Sequence, residues 1–178
     1  GMNARMVIGQ ADYTTSSANQ GASVAANSLS NPLGISVSNG KIYIGDAGNN
    51  RVLVYNSIPT TAGANADSVI GQANFTTATG GTTSSSFSGL QGLFTDGTFL
   101  MVAEWVSSRI SFWPISNLSQ IQFSLGQPNQ TTNTPNSGGV SDNNLKNPTN
   151  VLKAGTKYFV NDATNHRILI YSATTIGQ

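Results

Sequence analysis

One eleven-residue pattern occurs three times in this chain at a fixed interval. "GDAGNNRVLVY" spans residues 45–55, "AEWVSSRISFW" spans 103–113 and "NDATNHRILIY" spans 161–171. Arg51, Arg109 and Arg167 are therefore 58 residues apart, and so are Asp46, Glu104 and Asp162. A repeat of this length marks one supersecondary unit that buries its apolar faces only against its neighbours. Two further echoes accompany it. "LSNPLGISV" (29–37), "FSGLQGLFT" (87–95) and "LKNPTNVLK" (145–153) keep the 58-residue register. "VIGQADYTT" (7–15), "VIGQANFTT" (69–77), "SLGQPNQTT" (124–132) and a closing "TIGQ" (175–178) do not; their glycines are 62, 55 and 51 residues apart. Length variation thus falls in the linkers around the Gly-Gln motif, as it does in surface connections.

Each unit reads as four short strands. In the first, "LGISV" (33–37) passes through "SNGK", a hairpin signal, into "KIYIGD" (41–46). "AGNN" then turns into "RVLVY" (51–55), and "SVIGQ" (68–72) follows a polar loop. The second unit has "QGLFT", "TFLMVAE", "RISFW" and "QFSLGQ"; the third has "TNVLK", "KYFVND", "RILIY" and "TTIGQ". Several of these strands are apolar on both faces, the pattern of a sheet sandwiched between two others. No window keeps a helical period, so the chain is all-β. Charged residues make up only 8% of the sequence, against about 25% in an ordinary domain. Small polar residues fill their place and favour turns over helix interiors.

Four strands per unit, stacked on both sides, describe a propeller blade. The Pro-Leu-Gly lead-in (32–34), the "IYIGD" strand, the "GNNRVLVY" turn and strand, and their counterparts resemble NHL repeats of a β-propeller. The second unit departs most, with Leu90 where the others have Pro32 and Pro148, and with Glu104 for the aspartate. The resemblance implies a single propeller domain over 1–178, with blade units at about 29–72, 87–127 and 145–178. It also implies six-bladed rings, and three blades cannot close one. The end blades would expose apolar faces, which calls for a homodimer completing the ring; a piece of a longer propeller is the alternative. Residues 6–10 read as a ring-closing outer strand, although 174–178 compete for the same place.

The chemistry-bearing residues are few. Each acid ends one strand and each arginine begins the next, so Asp46–Arg51, Glu104–Arg109 and Asp162–Arg167 read as structural pairs, with the carboxylate taking guanidinium and turn amides. Asn50 suits a left-handed turn. A candidate ligand-binding set comprises Trp105, Glu104, Asp46 and Asp162. Trp105 stands where the other units have Ala47 and Ala163, and reads either as packed under a loop or as a stacking surface. Tyr55, Trp113 and Tyr171 share one register and are expected to pack between blades or cap the core. His166 is the chain's one histidine, too few for a multi-histidine metal site. No catalytic residue and no metal set is assigned; the turn acids Asp46, Asp142 and Asp162 leave room for a divalent cation such as calcium. Asn-x-Ser/Thr sequons begin at Asn74, Asn117 and Asn129.

A net charge of +1 gives no broad basic surface for nucleic acid, and no apolar run is long enough for a membrane span. Cysteine is absent, which removes disulfides and thiolate chemistry. Gly1 ahead of Met2 reads as an expression remnant, compatible with a trimmed leader, and an extracellular or envelope location is favoured. The expected function is a non-enzymatic protein- or ligand-binding scaffold, taking a protein, small-molecule or carbohydrate partner, with linkers 11–31, 73–88 and 128–145 as recognition elements. The alternative is a metal-dependent lyase or hydrolase working at a central channel.

Overall fold

The computed structural model describes residues 1–173. Eleven strands are found among them: β1 Pro32–Ser38, β2 Lys41–Asp46, β3 Arg51–Tyr55, β4 Ser68–Ile70, β5 Leu90–Thr95, β6 Phe99–Glu104, β7 Arg109–Pro114, β8 Phe123–Leu125, β9 Asn150–Ala154, β10 Lys157–Asp162 and β11 Arg167–Ser172. They form antiparallel meanders in the orders β1-β2-β3-β4, β5-β6-β7-β8 and β9-β10-β11. Three sheets of this kind, stacked in sequence, are the blades that the repeat calls for. The strand expected from "TTIGQ" lies outside the described residues. Residues 6–10, expected as an outer strand, form no strand here.

Both faces of the middle strands are apolar because both are covered. Tyr43, Val52, Val54 and Ile70 of the first blade pack on Leu90, Leu93, Leu100, Val102 and Trp113 of the second. The second blade's opposite face, with Met101, Ala103, Ile110 and Phe112, packs on Leu145, Val151, Tyr158 and Val160 of the third. Aromatic rings fill both junctions. Phe87 tilts against the fully buried Trp113 at 4.8 Å, and Phe112 meets Tyr158 edge to face at 5.5 Å. The first blade's outer face, Ile42, Ile44, Leu53 and Tyr55, is covered in part by Ile8 and Leu29 of the amino-terminal segment.

The innermost strands β1, β5 and β9 lie side by side and converge. A Cβ on Gly92 would come within 2.7 Å of the Thr149 carbonyl and the Asn150 side chain. Glycine is what lets two strand backbones approach this closely.

The Gly-Gln motif has an equally local cause. Gly9, Gly71 and Gly126 all take positive φ, at 89°, 84° and 90°. A Cβ on them would strike Leu29, Phe87 and Leu145 respectively. The glycine therefore does two things: it makes the left-handed bend after the outer strand, and it leaves room for the apolar side chain that leads into the next blade. The prediction compares two left-handed glycines. Gly63 (φ 69°) has open space around its Cβ position, whereas a Cβ on Gly71 would collide with the Phe87 ring. Gly63→Ala should lose only the backbone term of about 1–2 kcal/mol. Gly71→Ala should lose roughly 1–3 kcal/mol more through overpacking, as measured by equilibrium denaturation. Equal losses would show that the motif glycine serves the bend alone.

Candidate functional site

The repeated acid and arginine meet across the end of a hairpin. Asp46 is opposite Arg51, Glu104 opposite Arg109 and Asp162 opposite Arg167 in the strand registers. A short 3-10 turn, Ala47–Asn49 or Ala163–Asn165, connects the strands in the first and third blades. Each connection ends in a left-handed residue: Asn50 at φ 48°, Ser108 at 50° and His166 at 54°. The expectation for Asn50 holds, and the same conformation extends to the other two.

Arg51 donates from Nε to Asp46 Oδ2 at 2.7 Å, from Nη2 to the Ala25 and Ser28 carbonyls, and from Nη1 to the Phe75 carbonyl. Arg109 donates to Glu104, to the Thr83 and Ser86 carbonyls and to the Gln130 carbonyl. Arg167 donates to Asp162 and to the Ser141 and Asn144 carbonyls. The upstream acceptors are 26 and 23 residues before the arginine in all three blades. Each of the first two arginines thus ties the linker before its blade to the linker after it. The linkers 11–31, 73–88 and 128–145, expected as recognition elements, are thus anchored to the blades through backbone carbonyls.

Glu104 shows how the pattern absorbs a change. Asp46 and Asp162 each take a second hydrogen bond from an asparagine amide, Asn49 and Asn165. In the second blade that asparagine is Ser107, whose hydroxyl bonds to Thr82 instead. The longer Glu104 reaches further and receives both Nε and Nη2 of Arg109, at 2.8 and 2.9 Å. A bidentate pair replaces an aspartate shared between arginine and asparagine. Burial pushes the Glu104 carboxyl above its ordinary value, opposed by the charge and hydrogen bonds of Arg109.

These positions correct the candidate ligand-binding set. The side chains of Asp46, Glu104 and Asp162 are fully buried. Their oxygens also receive the backbone N–H groups of Ser30, Ser88 and Lys146. Each carboxylate is desolvated and hydrogen-bonded through both oxygens within its own blade end. Among the described residues no three His, Asp or Glu side chains lie together as a metal site would require. Trp105 stands apart from them. Its side chain is partly exposed, while its backbone is held by the Gly89 carbonyl, the Ser108 N–H and the Asn147 amide. Trp113 lies between blades as expected, Tyr171 packs at the junction of the second and third, and Tyr55 faces the outer side of the first. The asparagines of the sequons each accept hydrogen bonds from the Ser or Thr two residues on, as does Asp12 from Thr14, so that pattern is turn chemistry.

Two features escape sequence reading. The first is a groove of about 600 Å³ along the converging inner strands, lined by Leu33, Gly34, Ile35, Gln91, Gly92, Leu93, Phe94, Thr149, Asn150, Leu152 and Asn161. Its polar groups are amides and one hydroxyl. The second is a clamp between the second and third blades. Lys153 Nζ donates to Asp96 Oδ2 at 2.6 Å, the Tyr158 hydroxyl donates to the same oxygen at 3.1 Å, and the ammonium lies over the Tyr158 ring. Burial works to raise the Asp96 carboxyl, but hydrogen bonds from Lys153, Phe99 and Thr98 outweigh it and hold the group below its ordinary value. The hydrogen bond to Asp96 raises Lys153. A local pattern could not have announced a pair 57 residues apart.

The NHL repeat profile matches residues 29–55. This is the first blade from its lead-in to the end of β3, including Asp46 and Arg51. No curated protein matches the chain significantly. Among solved structures, a chain of a nidogen–laminin complex is 13% identical, with a TM-score of 0.52 over 84% of this chain and 46% of that one. A calcium-binding regucalcin from Agrobacterium tumefaciens is 14% identical (TM-score 0.45, 77% and 42%). A catalytically inactive virginiamycin B lyase from Staphylococcus aureus is 16% identical (TM-score 0.36, 85% and 60%). At these identities the likeness concerns fold. The chain spans less than half the length of the first two.

Two outcomes test the site as a structural one. Arg109→Ala leaves Glu104 charged and buried without its partner, so stability should fall by about 3–5 kcal/mol in chemical denaturation; a loss below about 1 kcal/mol would refute the pairing. The clamp should show in pH dependence. The Asp96 carboxyl is depressed on folding, so its contribution is present above its ordinary 3.8 and is lost as pH falls through the lower folded value. Lys153 is raised, so its share is present below 10.5 and disappears as pH climbs through the higher folded value. The stability gap between the native protein and Asp96→Asn should accordingly be widest between these limits and close on the acid side, followed by thermal melting across pH.

Proposed function

We infer that this NHL-repeat chain of β-propeller type is a non-catalytic binding scaffold, its three blades forming half of a six-bladed ring. The observation that carries the reading is where the reactive side chains are and where they are not. The acids and arginines of the repeat are fixed on one another and on linker carbonyls. The groove along the inner strands has no acid, lysine, arginine, histidine or tyrosine in its lining. Gln91, Thr149, Asn150 and Asn161 offer neutral donors and acceptors beside Leu33, Ile35, Leu93 and Leu152. A lining rich in amides beside a few aliphatic side chains suits recognition of a neutral polar ligand, such as a carbohydrate, a peptide or a loop of a protein. General acid–base or metal-assisted cleavage needs a titratable or ligating group within reach of the reacting atoms, and this groove supplies none. Trp105, partly exposed at the blade end, provides a separate contact surface of the stacking kind.

Calorimetric titration with panels of neutral oligosaccharides and peptides tests the reading. A bound ligand should show an affinity that is flat between about pH 5 and 9 and indifferent to chelator. Gln91→Ala and Asn161→Ala should each weaken it roughly five- to tenfold, the scale of one hydrogen bond. Turnover of a ligand that chelator abolishes would overturn the proposal in favour of the lyase or hydrolase alternative.

A further inference from the structure

The backbone of Trp105 is tied to the strands that form two walls of the inner groove. Its N–H donates to the Gly89 carbonyl at 2.7 Å, and its carbonyl accepts the Asn147 side-chain amide at 2.8 Å. Gly89 stands two residues before Gln91 and Asn147 two residues before Thr149, and both Gln91 and Thr149 line the groove. Two residues of extended chain cover at most about 7 Å. Trp105 therefore stands at the groove's rim, held between the lead-ins of β5 and β9. The repeat does not call for a ring there, since the first and third blades have Ala47 and Ala163 at the same register. Trp113, the chain's other tryptophan, is fully buried and donates its Nε1 to Ser111, whereas Trp105 is 38% exposed.

The groove beside this rim offers hydrogen bonds that the fold does not use. Among the described residues, the side-chain amides of Gln91 and Asn161 and the Thr149 hydroxyl have no partner within the protein. Each amide presents a donor and an acceptor together, the pair that neighbouring hydroxyls of a sugar ring answer. No charge accompanies them, so an acidic or phosphorylated sugar would lose water there and gain no counter-charge. A peptide is answered less well. Strand addition needs free backbone groups, and the Thr149 N–H at the groove wall is already bonded to the Asn161 carbonyl. An aromatic face beside neutral amides complements a pyranose, which carries C–H groups on its faces and hydroxyls around its edge.

We propose that the groove takes a neutral oligosaccharide of at least two rings, one hydrogen-bonded by Gln91 and Asn161 and a further one stacked on Trp105. This inference rests on the binding-scaffold reading above and narrows its ligand to one class. The amides select which hydroxyls are accepted. The indole adds affinity only when the oligosaccharide is long enough to reach the rim, so length dependence is the signature of the site.

An array of neutral and acidic glycans probed with the full chain identifies the sugar, and titration with its mono-, di- and trisaccharide forms measures the site. Neutral glycans should bind and acidic ones should not. The longer forms should bind roughly three- to tenfold tighter than the monosaccharide, the range of one aromatic stacking contact. Trp105→Ala keeps the backbone bonds and places at this turn the residue that the other two blades have. It should bring the longer sugars down to the affinity of the monosaccharide, whereas Asn161→Ala should weaken every length alike. Tryptophan emission should shift on binding the longer forms, and with Trp113 buried that shift reports Trp105. A length gain that survives Trp105→Ala, or binding of the longer forms that leaves the emission unmoved, overturns the proposal. So does an array on which acidic glycans alone bind, or none. A peptide that binds instead, with sensitivity to Asn161→Ala, would leave the scaffold reading standing and this inference refuted. Turnover of a bound oligosaccharide with the length gain intact would do the reverse.

Discussion

A guanidinium shut away from water must place its N–H groups on acceptors or destabilise the fold, and in this protein that requirement organises each junction. The acid across the hairpin takes Nε; linker carbonyls before and after the blade take the rest. Carbonyls are acceptors whatever side chain they carry. The linkers are therefore free to vary in sequence while their backbones stay fixed at the points of contact. This accounts for the two spacings in the repeat. From the upstream linker carbonyls to the acid and the arginine the offsets are constant, because one rigid cluster contains them all. Between the arginine and the next Gly-Gln motif the outer hairpin loop can lengthen without disturbing any member of the cluster.

The exchange of Asp for Glu in the second blade shows that the cluster is conserved as a set of bonds and not as a set of residues. Losing the asparagine amide leaves an acceptor unmet beside the arginine. One added methylene lets the carboxylate turn both oxygens to the guanidinium. A buried ion pair contributes little net stability once desolvation is counted, but a broken one is severely destabilising. The pair thus acts less as an adhesive than as a constraint on register, since few arrangements of blade and linkers satisfy all of its groups.

Much of the fold was legible because the strands are short runs of β-branched and aromatic residues between turn-formers, and because the repeat supplied three independent views of each element. The left-handed turn was legible at Asn50 from side-chain chemistry, and the other two blades follow by register. The candidate site was less so. Asp46, Glu104 and Asp162 look in sequence like available carboxylates at turn positions, and nothing local says that Ser30, Ser88 and Lys146 will bring amides onto them. The linkers look flexible because Ser, Thr, Asn and Gly dominate them, whereas their order comes from backbone acceptors that have no signature in side chains. The inner groove was invisible for a related reason: its lining draws glycines and amides from four strands of three blades, brought together only when the blades converge. Lys153 and Asp96 belong to different blades and meet for the same reason.

A structure whose bonds straddle its junctions has no natural end. The second blade both gives and receives across its two junctions, so each junction has donors on one side and acceptors on the other. Stacking sheets alone would leave ends that are merely apolar, and any greasy surface could cover them. The arginine and glutamine bonds make each internal junction specific, because only a surface with a left-handed carbonyl and a correctly spaced linker carbonyl completes them.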